Sequence, residues 1–252
     1  MRKYLKRKTI IIVSTSCAVV AGAFAAIALL NTQNRVQIEF NIHLNREAIY
    51  LSIYAEPPQF AIWLENPATG ENKQVFVTYR ASRGDWEGKA DVPVALPRWK
   101  TVFRDGGAKE RDQEEIAVSG ATPKDDYFRV RAEVRPGSEW ICRIEMNLAG
   151  DYNDHYPQFN HETKEEDEFA CGQPALLYKA EIKAETGNEY IPQIESMSLW
   201  EDGKNRLVPP DRTITSAHKV FDEITVKIIK PKPQIINKHN VDNQNILQKD
   251  EK

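Results

Sequence analysis

The segment Ser119-Gly120-Ala121-Thr122 has the residue types of a covalent flavin attachment site. Such a site needs an exposed hydroxyl, small neighbours that admit the cofactor phosphate, and an upstream acidic residue that helps to bind the transferring metal. Thr122 supplies the hydroxyl, but Ile116 occupies the acidic position and Pro123 follows the threonine. The competing interpretation is a Gly-Ala turn that leads into a strand. FMN on Thr122 is therefore one hypothesis beside a plain turn.

A second group of residues has the chemistry of cation ligands. Asp151, Asn153 and His155 alternate along a polar segment, and His161 follows closely. Carboxylate and amide oxygens suit a hard divalent cation, and histidine would extend the choice to zinc or copper. The segment has neither EF-hand spacing nor a Cys/His zinc pattern. The alternative is a solvated loop in which Asp151 and Asn153 cap turns through their own side chains.

Nucleophilic catalysis has less support in the sequence. Ser216-Ala217-His218 has no acid partner that the sequence indicates, and no Gly-x-Ser-x-Gly elbow is present. Cys142 and Cys171 are an even pair, for which the sequence leaves open a disulfide or two separate buried thiols. The sequence therefore indicates a binding protein more than an enzyme.

A period-two alternation between apolar and polar residues recurs from Val36 onward, which predicts strands half-buried against a core. The predicted strands include Val36–Ile42, Ile49–Tyr54, Gln59–Glu65, Gln74–Tyr79, Tyr127–Val134, Trp140–Leu148, Pro174–Ala184, Ile194–Glu201 and Phe221–Ile229. A short helix is expected near Arg98–Phe103, with its aromatic side chains on the sheet. Turn-forming residues at 66–72 and 135–138 predict two hairpins. The fold class that follows is an antiparallel β-sandwich with loop insertions.

The first 34 residues predict a cytoplasmic basic tip and a transmembrane anchor. No charged residue occurs from Ile10 to Leu30, a length that spans a bilayer core of roughly 30 Å as a helix. Five basic residues precede this run and predict a cytoplasmic N-terminus. A cleaved signal peptide is the alternative, but its apolar region is usually shorter. We therefore expect a single-pass inner-membrane protein with its C-terminal part in the periplasm.

Residues 35–230 then form the extracytoplasmic domain, and residues 231–252 a polar tail expected to be disordered. The part after residue 34 holds all 37 acidic residues but only 29 of the 34 basic ones, a formal charge of −8. This charge argues against nucleic acid or anionic lipid as partners. A protein partner in the membrane is the remaining expectation.

Several short segments, taken in order, resemble a family of bacterial predicted periplasmic proteins of unassigned function. They are Phe60–Asn66, Ala95–Trp99, Val118–Pro123, Ile144–Asn153, Gly172–Tyr178, Ile214–Ala217 and Ile224–Val226. That family has an immunoglobulin-like fold related to the β domain of the flagellar hook-assembly scaffold. The resemblance covers roughly residues 36–229 and supplies no catalytic residues.

Members of this family are commonly encoded beside membrane flavin or haem redox proteins and flavin transferases. The resemblance therefore implies an accessory role in extracytoplasmic redox or metal handling. This chain departs from the family where a Gly/His-rich stretch is expected before Ile214 and Ser196–Asp211 is found instead.

Overall fold

The computed structural model describes residues 22–24, 26, 35–83, 95–105, 119–120 and 126–232. Strands dominate these residues: β1 (Val36–Leu44), β2 (Gln59–Glu65), β3 (Asn72–Thr78), β4 (Ser119–Gly120), β5 (Tyr127–Val134), β6 (Glu139–Asn147), β7 (Ala175–Lys183), β8 (Glu189–Tyr190), β9 (Gln193–Glu201), β10 (Lys204–Val208) and β11 (Phe221–Ile229). The helices are short: α1 (Arg46–Leu51), α2 (Tyr79–Arg83), α3 (Pro97–Lys100), a π-helical turn (Thr101–Asp105) and a 3-10 turn (Ala217–Lys219).

The strands form two sheets that pack face to face. The four-stranded sheet has the order β5-β1-β11-β8, and all of its pairings are antiparallel. The large sheet has the order β10-β9-β7-β6-β2-β3, also antiparallel, and β4 adds a two-residue parallel pairing at the edge of β3. The predicted mainly β, antiparallel sandwich is confirmed at this level.

The main core lies between the two sheets. The inward side chains of β1, including Phe40, are fully buried against those of β2, including Phe60. The ring of Phe60 lies 5.0 Å from that of Phe128 and 5.4 Å from that of Phe221, both edge-on. Because such rings each bury 150–250 Å², their alternation along the strands fixes which face of each strand points inward.

A smaller apolar cluster covers part of the opposite face of the large sheet. Trp63 and Leu177 point away from the main core and pack with Leu96 and Trp99. The predicted helix near Arg98–Phe103 is confirmed as α3 and the turn after it, with its aromatic residues on the sheet. The 95–105 segment thus shields one region of an otherwise solvated face.

Two predictions about local structure are wrong. Tyr127–Val134 and Trp140–Leu148 are not a hairpin, because β5 pairs with β1 and β6 pairs with β2 and β7. The turn between them passes from one sheet to the other, and its Gly137 N–H donates to Ala184 O at 2.8 Å. Turn residues predict that a chain reverses, but they do not state which sheet the next strand joins.

The second error concerns Ile49–Tyr54, which is not a strand. Asn45 caps α1 by accepting the N–H of Ala48 at 3.2 Å, and Ala48 and Ile49 are the buried residues of this helix. An asparagine three residues before a buried pair is an N-cap signal.

The predicted membrane span, Ile10–Leu30, lies almost entirely outside the described residues, of which 22–24 and 26 are helical. Among the described residues, no helix has both the length and the apolar character needed to cross a bilayer. Of the predicted tail, residues 231–232 are described, and residues 233–252 lie outside the described residues.

Candidate functional site

Asp151 lies in the turn that follows β6 and is buried, with 4% of its surface exposed. Its carboxylate accepts a hydrogen bond from Gln173 Nε2 at 2.9 Å and another from the hydroxyl of Ser216. A buried carboxylate without partners would cost several kcal/mol, so these donors are what allow it to remain there. Asp151 is therefore an internal anchor and not a solvated loop residue.

Gln173 connects Asp151 to a third segment of the chain. Its Nε2 also lies 2.7 Å from Ser216 Oγ, and its Oε1 accepts the backbone N–H of Thr215 at 2.7 Å. The Gln173 backbone completes the set, because its carbonyl accepts from Asn147 Nδ2 at 2.9 Å and its N–H donates to Asp151 O at 2.9 Å. Three stretches distant in sequence are held together at one end of the sandwich.

Two glycines allow this close approach. Gly172 has a φ of +66°, and a Cβ built there would lie 2.6–2.8 Å from backbone atoms of Asp151. Gly150 has a φ of +68°, and its Cβ would lie 2.5 Å from the ring of Tyr54. Both positions require glycine for conformation and for space. The segment 150–173 is therefore in close contact with its neighbours on both sides.

Burial raises the pKa of the Asp151 carboxyl, and the hydrogen bonds from Ser216 and Gln173 oppose that rise. Among the described hydrogen bonds, neither Asp151 nor Ser216 has a histidine partner. Ser216 thus has an acid partner that the sequence did not indicate, yet its hydroxyl donates directly to a carboxylate without an imidazole between them. These hydrogen bonds fix the positions of Ser216 and Asp151 relative to each other.

The side chains of the predicted cation ligands Asp151 and Asn153 hydrogen-bond to different parts of the chain. Asn153 Oδ1 accepts the N–H groups of His155 at 2.9 Å and Tyr156 at 2.8 Å, while its Nδ2 donates to Thr213 O at 2.8 Å. His155 is exposed, and its ring packs edge-on against that of Tyr156. Within the described residues, no group of three or more His, Cys, Asp or Glu side chains could hold a metal ion. Asn153 caps a turn, as the alternative interpretation held.

Cys142 and Cys171 are both free thiols in the structure. Cys142 lies in the middle of β6, whereas the carbonyl of Cys171 accepts from Asn147 Nδ2 at 3.2 Å at the end of that strand. Five strand residues separate positions 142 and 147, roughly 17 Å. A disulfide needs Cα atoms within about 7 Å, so the pair is not bridged, and two separate thiols are what the structure shows.

The proposed flavin residue Thr122 lies outside the described residues. The two residues that open its motif, Ser119 and Gly120, form β4 and pair with Val77 and Thr78. Thr78 marks the same end of the large sheet as Asn147, because Gln59 pairs with Asn147 and the N–H of Phe60 donates to Thr78 Oγ1 at 3.3 Å.

A buried carboxyl that the sequence analysis missed lies on the outer face of the large sheet. Glu145, fully buried on β6, accepts the N–H groups of Arg98 at 2.9 Å and Trp99 at 2.7 Å. Burial raises its pKa to about 7, and hydrogen bonds from Ser198, Trp99 and Arg98 limit the rise. Glu145 falls on the polar face of the period-two pattern, and only the packing of 95–105 over that face buries it.

No family model, no curated protein and no solved structure matches this chain. The family resemblance therefore stays a prediction. Three of the segments named for the resemblance, 144–153, 172–178 and 214–217, are in contact around Asp151 and Gln173. The 95–99 segment meets the first of these at Glu145.

Proposed function

We propose that this chain is a membrane-anchored periplasmic accessory domain that binds a protein partner of the inner membrane engaged in redox or metal handling. The observation that carries the proposal is the Asp151–Gln173–Ser216 network, which fixes several loops at one end of a rigid sandwich. Loops held on a rigid scaffold are where recognition is concentrated in proteins. We also propose that the sandwich is of the immunoglobulin-like type that the sequence resemblance implies.

The network lies at the end of the sandwich opposite to the predicted anchor. β1 runs from Val36 to Leu44, about 30 Å, so Arg35 marks one end and Asn45 the other. The N–H of Asn45 donates to Val220 O at 2.9 Å, next to the Ser216 segment. We call this the loop end: residues 45–58, 148–174 and 209–220. An anchor before Arg35 would present the loop end away from the bilayer.

The 153–170 segment contains a long, mostly exposed stretch of the loop end, residues 158–168. An isolated antiparallel bridge joins Phe159 to Glu166, and the N–H of Asn160 donates to Glu165 O at 2.8 Å. Asp167 Oδ2 accepts the N–H of Gly172 at 2.8 Å, which attaches the end of this stretch to the network. The tip can therefore be removed without cutting the contacts that hold the loop end together.

The test is to replace Phe159–Glu166 by a short Gly-Ser link that keeps Asn153 and Asp167. We expect unchanged thermal unfolding, because the removed residues are mostly exposed. We also expect loss of the membrane-protein adduct formed when the anchored protein is cross-linked in cells. The control shortens the exposed turn 67–70 at the opposite end and should retain the adduct. A folded tip deletion that keeps the adduct would contradict binding through this segment.

A second candidate function is a redox carrier with FMN attached to Thr122. The specific observation in its favour is that Gly120 pairs with Thr78 at the loop end, and two further residues reach at most about 7 Å from there. Protein purified from its native host should then show flavin absorbance that persists after denaturation. Thr122→Ala should abolish the absorbance and Ser119→Ala should keep it. Colourless wild-type protein would refute this candidate.

A further inference from the structure

Three large apolar side chains are exposed next to one another at the loop end. Tyr50 is 62% exposed, Leu51 81% and Ile53 60%. They end α1 and begin the bend that follows it, and we call them the apolar patch. Single exposed apolar residues are ordinary on protein surfaces, whereas exposed apolar residues that are grouped can mark a contact surface.

The backbone that carries the apolar patch is held firmly. Ser52 is buried, its hydroxyl donates to Ile49 O at 2.8 Å, and its Oγ accepts the N–H of Ala55 at 3.2 Å. Ala55 itself has a φ of +51°, a left-handed conformation that is unfavourable for alanine. The neighbouring contacts therefore hold the backbone that carries the exposed side chains.

The apolar patch is continuous with the Asp151 network. The N–H of Ile53 donates to Gly150 O at 3.1 Å, and the ring of Tyr54 lies over Gly150. A partner that covers the apolar patch would therefore lie beside Gly150, where the segment 150–172 begins.

The segment that meets the patch at Gly150 is strongly acidic. Residues 150–172 contain seven acidic residues and one basic residue, Lys164. Two basic side chains of the surrounding surface are paired, Arg46 with Asp126 and Arg80 with Glu56 at 2.6 Å. Arg212 and Lys219 are the other basic residues of the loop end besides Lys164. Charge complementarity at interfaces selects partners of the opposite sign and speeds their association.

We infer that the apolar patch docks a protein segment with apolar side chains flanked by lysine or arginine. This inference rests on the proposed binding function and names the contact surface and the chemistry of its partner. An anionic lipid surface is disfavoured by the same acidic charge, and by the position of the patch about 30 Å from Arg35 along β1. The apolar side chains of the patch would be buried by the partner, and the acidic segment would orient the partner through its positive charges.

The first experiment uses the full anchored chain in cells, with a photo-activatable phenylalanine analogue at position 51 or at position 159. We expect irradiation at position 51 to give one protein adduct, whose cross-linked peptide lies in a Lys/Arg-rich segment of another protein. An adduct with lipid, with a second copy of this chain, or with an acidic segment would overturn the inference, as would the absence of any adduct. Adducts at position 159 but not at position 51 would contradict docking on the apolar patch and would leave the proposed binding function standing. Absence at both positions would contradict both.

The second experiment uses a synthetic peptide of the cross-linked sequence as the probe and measures its Kd for the full chain in detergent. Leu51→Ser and Ile53→Ser should each weaken binding at least about tenfold, because each removes a buried apolar contact. Glu165→Gln with Glu166→Gln should reduce the salt dependence of binding. Ile191→Ser is the matched control, since Ile191 is 65% exposed but follows β8, far from the loop end, and its Kd should equal that of the wild type. Equal Kd values for all the variants would overturn the inference.

Discussion

Glu145 illustrates how one residue on a polar strand face can become the attachment point of a distant segment. The two oxygen atoms of its carboxylate accept the N–H groups of Arg98 and Trp99, which begin α3 and have no partner within such a short helix. These two hydrogen bonds satisfy backbone donors that would otherwise be buried without partners beside the smaller apolar cluster that contains Trp63. The 95–105 segment is therefore positioned by a polar contact as well as by its aromatic packing.

The raised pKa of Glu145 predicts a pH-dependent stability. The folded state holds this proton more tightly than the unfolded chain, since burial raises the pKa of Glu145 from 4.5 to about 7. The stabilisation that comes from protonated Glu145 is fully present below pH 4.5 and is lost as the pH rises through 7. Urea unfolding should show the wild type losing about 3 kcal/mol relative to Glu145→Gln between pH 4.5 and 7.5. Parallel pH profiles for the two proteins would show that Glu145 does not titrate in this way.

The cysteines give a second prediction at the scale of single residues. Burial raises the pKa of both thiols, Cys142 and Cys171, so neither should be a reactive thiolate. A maleimide reagent should label neither in folded protein at pH 7 and both after denaturation without reductant. Protection that persists in the denatured, unreduced protein would indicate a disulfide that the structure does not contain.

Elements were predictable from the sequence wherever one face of a strand is buried. β5 and β11 begin and end where the period-two alternation predicts, because a shift of one residue would turn the inward apolar side chains to solvent. α1 was missed since its large apolar residues Ile49, Tyr50 and Leu51 are consecutive and only Ile49 of these three is buried. For such a short apolar run, periodicity alone does not separate helix from strand.

The candidate site was less predictable than the strands. Asp151, Asn153 and His155 were grouped because they are adjacent in the chain, but the partners that matter for Asp151 are residues 173 and 216. Which loops meet at the end of a sandwich depends on strand order, and local sequence does not encode strand order. Gly150 and Gly172 on either side of the insertion were the available signal, because both have positive φ and lie against other backbone or rings.

Gly172 tests how strongly the loop end depends on close packing. Gly172→Ala should lower the free energy of unfolding by at least about 2–3 kcal/mol, since the added Cβ meets the Asp151 backbone and φ is positive. Gly70→Ala is the control, with a similar φ of +73° but nothing within 4 Å, so it should cost only about 1–2 kcal/mol. Equal losses in thermal or urea unfolding would show that the contact with Asp151 adds nothing.

At the scale of the whole molecule, the chain enters and leaves the sandwich at the same end. β1 and β11 are antiparallel neighbours, and Gln37 pairs with Ile229. Arg35 and Lys230 therefore lie side by side, and the loop end is separated from both by the full length of the strands. A short connection to a membrane helix would keep Arg35 close to the bilayer and would place the loop end farther from it by about the length of the strands.

The predicted anchor can be tested together with this orientation. Residues 31–35 between the apolar run and β1 reach at most about 18 Å, less than the roughly 30 Å length of β1. We expect the mature protein to keep its N-terminus and to remain in the membrane fraction. A fluorophore on a cysteine at position 70, in the turn near Arg35, should be quenched by a membrane-embedded quencher more strongly than one at position 51. In a Cys17→Ser background, the remaining native thiols, Cys142 and Cys171, should not compete for the label because burial raises their pKa. Recovery of a soluble protein that begins near Ala26 would replace the anchor by a cleaved signal peptide, and equal quenching at both positions would contradict the orientation even if the anchor is retained.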